Sequence, residues 1–219
     1  MGYFLLFEGM LGIHIFNSVL LARDKYLAPN GTMIPSRASL FLTAISDMES
    51  WETRVGLWDN AYGLRFRCLK DHSLKFPGVD EVRDEHVVTS RSTLREWDLM
   101  TCTTRDLEFE TRVMVRVLKT SSLTALVGFF DVGYNNPTAG LQTMLCTGPS
   151  FPVTHWAQSV FYLEKPFPVT EGQELNIATR IMKCRDDHRG LEVTFRIFNG
   201  EGVGNNLEET CLWQQTYQL

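Results

Sequence analysis

The stretch RVMVRVLKTSSLTALVGFFDV (residues 112–132) decides the fold, because its two halves carry two different strand patterns. In the first, Val113, Val115 and Val117 fall on one side while Arg112, Met114 and Arg116 fall on the other, the period of a half-buried strand. In the second, Leu123 to Val132 is almost continuously apolar, which reads as a central strand. Further along, Leu191, Val193, Phe195 and Ile197 alternate with Glu192, Thr194 and Arg196, and Leu175–Ile181 and Ser159–Leu163 follow the same period. Turn signals punctuate these runs at Asn135-Asn136-Pro137, Gly148-Pro149, Glu171-Gly172, Asp186 to Gly190 and Asn199-Gly200. Regularly spaced strands with such punctuation predict a mostly β chain folded as an antiparallel barrel or sandwich from Ser36 onward.

The 219 residues suffice to bury a real core, and 44% hydrophobic with 21% charged content is ordinary for a globular protein. A formal net charge of −5 argues against a general nucleic-acid binder, which usually shows a basic stripe. Cysteines at 68, 102, 146, 184 and 211 are scattered and odd in number, so neither a disulfide framework nor a zinc site is expected, and a reducing compartment fits better. His14, His72, His86, His155 and His188 show no metal-binding spacing, and no structural metal is expected. Gly200-Glu201-Gly202-Val203-Gly204 superficially resembles a nucleotide loop, but no helix follows it, and it reads as a flexible turn.

Upstream of Ser36 the pattern changes. The first 21 residues carry one formal charge, Glu8, yet have no basic leader and no small-x-small cleavage site, so they do not read as a signal peptide. An acid near the middle is costly in lipid, which argues against a spanning helix. A buried segment built around Glu8 is the expectation. Asn17 to Leu27 has helical spacing, with Val19, Leu20, Tyr26 and Leu27 apolar and Arg23, Asp24 and Lys25 on the wet side; Pro29 and Gly31 end it. Asn30-Gly31-Thr32 reads as a turn, Thr32 to Ile34 as an extended piece, and Pro35 as a junction.

Between Trp51 and Phe66 the β pattern breaks. Val55, Trp58 and Tyr62, and again Trp58, Tyr62 and Phe66, recur at helical spacing. Two readings stand: a helix that covers the barrel mouth, or an arm whose apolar face docks on a second molecule.

The runs MGYFLLFEGM and ARDKYLAPNG resemble the type I protein arginine N-methyltransferases, and LWDNAYGL, DLEF, LTALVGFFDV, CTGP and PVTHWAQSVFYLEKPFPV follow in the family's order. Several of these runs stand nearest the cytosolic branch that carries an N-terminal zinc finger and methylates a ribosomal protein. The resemblance implies the last hairpin, helix and strand of a Rossmann-like methyltransferase domain over residues 1–35. It implies a β-barrel substrate and oligomerisation domain over 36–219, with a dimerisation arm at about 51–76. It implies S-adenosylmethionine as methyl donor, arginine-containing proteins such as ribosomal or RNA-binding proteins as substrates, asymmetric dimethylation, and a head-to-tail homodimer in the cytoplasm and also the nucleus. Neither direct nucleic-acid nor membrane partners are expected.

Arginine methylation needs one guanidinium nitrogen aimed at a methylsulfonium, and paired carboxylates hold a planar guanidinium by charge-assisted hydrogen bonds. By resemblance Glu8 is the second acid of the family's double-glutamate hairpin, a catalytic and substrate-binding residue. Met10 matches the methionine beside the cofactor's sulfur, where a soft thioether fits, with plain core packing as the alternative. Tyr3 lines the arginine channel or the core. His155 matches the histidine of the threonine-histidine-tryptophan loop, placed near substrate with an imidazole suited to proton transfer; Trp156 shapes that loop. Two departures qualify this. The glycine-rich cofactor loop and the hairpin's first acid are missing from the sequence, so the chain by itself is expected to be inactive, with a non-catalytic dimerisation module of a truncated isoform as the alternative. Second, GIHIF (residues 12–16) interrupts the family pattern; five residues at about 100° each rotate the following helix face by about 140°. Either the insert loops out or the packing of the next helix changes; Gly12, Ile13 and Ile15 favour a loop-out or irregular start over a continuous helix, which puts the cofactor contact of Ser18 in question.

Overall fold

The computed structural model describes residues 13–136, 140–185, 187, 190–199 and 211–219. It begins with helix α1 (Ile13–Tyr26), continues with strand β1 (Arg37–Ile45), and then runs through the short helices α2 (Met48–Arg54) and α3 (Arg67–Ser73). Strands β2 (Gly78–Asp80), β3 (Ser92–Asp98), β4 (Phe109–Arg116), β5 (Ser121–Asn136), β6 (Leu141–Cys146), β7 (Gln158–Val169), β8 (Glu174–Lys183), β9 (Leu191–Asn199) and β10 (Cys211–Gln218) follow. They form two antiparallel sheets. One is six-stranded in the order β2-β7-β5-β1-β3 with β6 also on β5; the other is four-stranded in the order β10-β9-β8-β4.

The main core lies between the sheets. Leu40, Leu42, Phe130 and Val132 from the large sheet meet Ile177, Ile181, Val193, Phe195 and Tyr217 from the small one. A second core lies on the other face of the large sheet, where Phe41, Val127, Phe129, Val160 and Tyr162 are covered by Trp51 and Val55. Two cores, one on each face, are why Leu123–Val132 has no polar alternation: β5 is central in its sheet and has no wet side over this stretch. The same cause corrects the alternation expected for Ser159–Leu163, which is buried on both faces. β4, β8 and β9, with one covered face, alternate as their sequences imply.

Three local expectations are overturned. Residues 13–16 of the insert do not loop out: α1 runs through Ile13, His14, Ile15 and Phe16 without a break. β-branched residues cost a helix only a few tenths of a kcal/mol each, too little to end one that packs through its later turns. Leu20 is fully buried in the main core, whereas Tyr26 is 74% exposed and Arg23 is tucked in with only 9% of its side chain accessible. Arg23 Nη1 donates to the carbonyls of Leu99 (2.9 Å) and Cys102 (2.7 Å), and its Nε and Nη2 face Asp24 Oδ1 at 2.7 Å, so the guanidinium is held by protein groups rather than by water. Finally, Asn135 and Asn136 continue β5 and pair with Gln142 and Leu141 of β6 instead of turning.

Residues 46–80 project from the end of β1 and return through β2, which pairs with β7. This segment is not the single helical stripe that its spacing suggests. α2 ends at Val55, a 3-10 turn covers Gly56–Asp59, and Ala61 and Leu64 close a tight hairpin with reciprocal hydrogen bonds of 2.9 and 3.0 Å. At its tip Tyr62 (φ 56°) and Gly63 (φ 82°) both take left-handed backbone, as a two-residue primed turn requires.

Candidate functional site

Two regions stand out: the loop before β7 and the segment 46–80. The loop is pinned at both ends by buried polar groups. Thr147 Oγ1 accepts from the Phe130 amide (3.1 Å) and donates to the Phe130 carbonyl (2.8 Å). Gln158 donates through Nε2 to the Thr147 carbonyl (2.6 Å) and accepts at Oε1 from the Val82 amide (2.7 Å). Ala157 turns the chain with φ 48°, its amide bonded to the Thr154 carbonyl at 3.2 Å. Trp156 is thereby set edge-on to Phe130 at 6.1 Å against the main core, while His155 beside it is exposed, with ring centroids 6.1 Å apart. Trp156 Nε1 and Thr154 Oγ1 are buried and have no hydrogen-bond partner among the described residues.

The consecutive residues His155 and Trp156 thus divide, the imidazole outward and the indole onto the core. Ser18 is carried separately on α1 with its side chain exposed, next to Asn17, whose Oδ1 is another buried atom lacking a partner among the described residues. Tyr3, Glu8 and Met10 lie outside the described residues.

The segment 46–80 is joined to the large sheet by a polar network beneath α2. Asp47 caps α2, accepting from the Ser50 amide (2.9 Å) and hydroxyl (2.7 Å), while its own amide donates to Thr124 Oγ1 of β5 (2.9 Å). Its second partner is His86, with Nδ1 2.9 Å from Asp47 Oδ2. Burial alone would raise the Asp47 pKa, but the two Ser50 hydrogen bonds, with neighbouring His86 and the Arg83 charge adding to them, outweigh it and hold it below the usual carboxylate value. Nearby, Tyr162 is pushed up to about 12 by burial, with Asp80 and Asp47 adding to the shift. Arg54 pairs with Asp80 at 3.0 Å.

A bulge in β7 completes the joint. Leu123 pairs with Phe167 and Ala125 with Tyr162, so residues 163–166 stand opposite Thr124 alone. Side chains from elsewhere serve the backbone of this bulge. Trp51 Nε1 donates to the Leu163 carbonyl (2.8 Å), Tyr217 OH to the Tyr162 carbonyl (2.9 Å), and Gln215 Nε2 to the Tyr162 (3.2 Å) and Leu74 (3.1 Å) carbonyls. Outward from the joint, Leu57, Leu64 and Leu69 are between 43% and 60% exposed, and Tyr62 at the tip is wholly exposed. That is an arm held rigidly at its root and apolar at its far end.

Sequence reasoning missed this root. Asp47 three residues before Ser50 is a readable helix-cap signal, and Tyr62-Gly63 is a readable turn, but nothing in the spacing points to His86, Trp51 Nε1 or Gln215.

Among the described residues no cluster of three metal-ligating side chains occurs, and no helix is long and apolar enough to cross a membrane. Residues 36–199 match the arginine methyltransferase oligomerization subdomain. Protein arginine N-methyltransferase 1 of Dictyostelium discoideum is 36% identical over 184 residues, covering 84% of this chain and 51% of that protein. The Caenorhabditis elegans protein of the same name is 34% identical over 211 residues, covering 96% of this chain and 59% of its own length. The chain thus spans about half the length of these curated relatives. Among solved structures, a Trypanosoma brucei protein arginine methyltransferase 1 enzyme–prozyme heterotetramer with AdoHcy superposes with a TM-score of 0.83 at 30% identity, covering 100% of this chain and 66% of that one. Arabidopsis thaliana protein arginine methyltransferase 10 superposes with a TM-score of 0.76 at 25% identity, covering 100% and 68%.

Proposed function

Because the chain belongs to the protein arginine methyltransferase family, we propose that it is the substrate-facing and subunit-facing part of an enzyme that moves methyl groups from S-adenosylmethionine to protein arginine side chains. The match over residues 36–199 carries this reading. The arm supports its oligomeric side: an apolar tip on a braced root suits docking against another subunit, and the proposed arrangement is a homodimer. The loop supports its substrate side, since a held tryptophan presents an exposed imidazole at a fixed place. In that role His155 takes up or relays the proton released when a guanidinium nitrogen is methylated. The proposed substrates are arginine-bearing proteins, ribosomal or RNA-binding ones among them, met in the cytoplasm and nucleus.

S-adenosylmethionine supplies the methyl group when bound. The described residues do not by themselves form a site for it: Ser18 is exposed on α1, while Met10 and the acid Glu8 lie outside the described residues.

The test is transfer of radiolabelled methyl groups from S-adenosylmethionine to an arginine-rich peptide by the protein that carries this sequence, purified from its own source. Label on arginine that falls at least tenfold in His155→Ala and disappears in Glu8→Gln is expected; transfer unaffected by both changes would overturn the assigned roles.

The likeness to an enzyme–prozyme assembly favours a second reading, a non-catalytic subunit that docks through the arm on a complete one. It predicts no transfer by this protein alone and a mixed species by light scattering when a complete relative from the same cells is added. Absence of any mixed species would end that reading.

A further inference from the structure

We propose that His86 is a positioning residue for the arm: it sets the angle at which the arm leaves the sheet by binding the carboxylate that caps α2. The ring lies in the turn Asp84–His86, on the return path from the arm, and its backbone carbonyl accepts from the Ser46 amide at 2.9 Å, at the point where the arm departs. One residue thus grips the root by backbone and side chain together. The tautomer follows from the neighbours. Arg83 Nη2 stands 3.0 Å from His86 Nε2, and a guanidinium only donates, so Nε2 accepts and the proton sits on Nδ1. That proton points to Asp47 Oδ2 at 2.9 Å, while Asp47 Oδ1 holds the Ser50 amide. The ring is only 18% exposed and Asp47 15%, so water competes poorly for either. The other charged groups around it are Glu85, with Oε1 3.8 Å from Nε2, and Glu49 and Glu81, which line the same cavity as Asp47 and His86.

Without the ring, Asp47 keeps its cap but loses its side-chain link to the 83–86 turn, and the root keeps only the Ser46–His86 backbone bond, Trp51 and Thr124 among these contacts. The assignment is atom-specific. Asparagine places an amide nitrogen where Nδ1 lies, whereas glutamine reaches only the place of Nε2. His86→Asn therefore keeps the tie to Asp47, and His86→Gln and His86→Ala lose it.

The experiment is hydrogen exchange at the Ser50 and Trp51 amides in the full chain, with self-association measured in parallel. About tenfold faster exchange is expected in His86→Ala and His86→Gln, the size that follows from losing one hydrogen bond to a charged group, and rates within about twofold of wild type in His86→Asn. Asp47→Asn, which retains a helix cap, is expected to behave like His86→Ala. Unchanged exchange in His86→Ala, or rescue by glutamine as good as by asparagine, would overturn the proposal. The self-association arm rests on the docking role of the segment: association weakened in the same variants is expected. A wild-type chain that never associates defeats that role while leaving exchange to decide the tie.

Discussion

Replacing Trp51 by Phe tests how the arm is anchored. The indole N–H donates to the Leu163 carbonyl at 2.8 Å inside the β7 bulge, and the residue is 8% exposed in the second core. Phenylalanine keeps an apolar ring but removes the donor and part of the volume. A buried carbonyl left without its partner costs about 1–3 kcal/mol. The smaller ring leaves a void between Val55 and Tyr162, and shrinking a buried side chain by this much costs about a further 1 kcal/mol. The expected loss is therefore about 2–4 kcal/mol. At roughly 2–4 °C per kcal/mol for a domain of this size, the melting temperature should fall by about 5–15 °C. Circular dichroism and fluorescence melts should coincide if unfolding is two-state. Trp58→Phe is the internal control. Its indole donates to the Arg54 carbonyl at 3.1 Å on the exposed arm surface, where water substitutes, so the cost should stay below about 0.5 kcal/mol. Equal losses in the two variants would refute the claim that the bulge needs Trp51.

Three further outcomes are expected. Arg23→Lys can offer one ammonium to the Leu99 and Cys102 carbonyls but loses the Nε and Nη2 contacts with Asp24 and the planar fork that places Nη1, so stability should drop by about 1–2 kcal/mol in denaturant titrations; no change would mean that α1 is not held there. Gly148→Ala drives a Cβ to 2.8 Å from the Phe129 ring, a clash worth about 1–3 kcal/mol, visible as a lower melting temperature with the loop before β7 disturbed. Asp47 has its folded pKa lowered, so its contribution is complete above the unfolded carboxylate value near 3.9 and disappears as pH falls through the lower folded value. The stability difference between wild type and Asp47→Asn should therefore be constant from pH 7 to about 5 and shrink below about 4; a difference independent of pH would exclude the charged cap.

The strands were legible wherever one face is wet, because burial then imposes the period of two, as in Leu191–Asn199. The central position of β5 was legible from its unbroken apolar run, whereas Ser159–Leu163 misled because a second core, invisible in a linear pattern, covers its outer face. The aromatic residues at helical spacing left a cover and an arm equally open, and the shape of the segment depends on Gly63 and on Tyr62 accepting a left-handed backbone, a choice made by the turn rather than by periodicity. Of the candidate site, His155 and Trp156 were singled out by their motif; that one ring is exposed while its neighbour packs on Phe130 could be read only from the structure. The contacts of His86, Trp51 and Gln215 join residues between 39 and 141 positions apart in chains of backbone and side-chain bonds, and no local pattern announces them.

The central claim, that this is an arginine methyltransferase oligomerisation domain working through its arm, is tested most directly by sedimentation equilibrium on the natural protein carrying this sequence, with and without Tyr62→Asp. Tyr62 is wholly exposed at the arm tip and supports nothing within its own chain, so the substitution should spare folding. The account predicts a mass of two subunits or a higher multiple for the wild type and of one subunit for the variant. A single-subunit mass for both, or an unchanged oligomer in the variant, would contradict it.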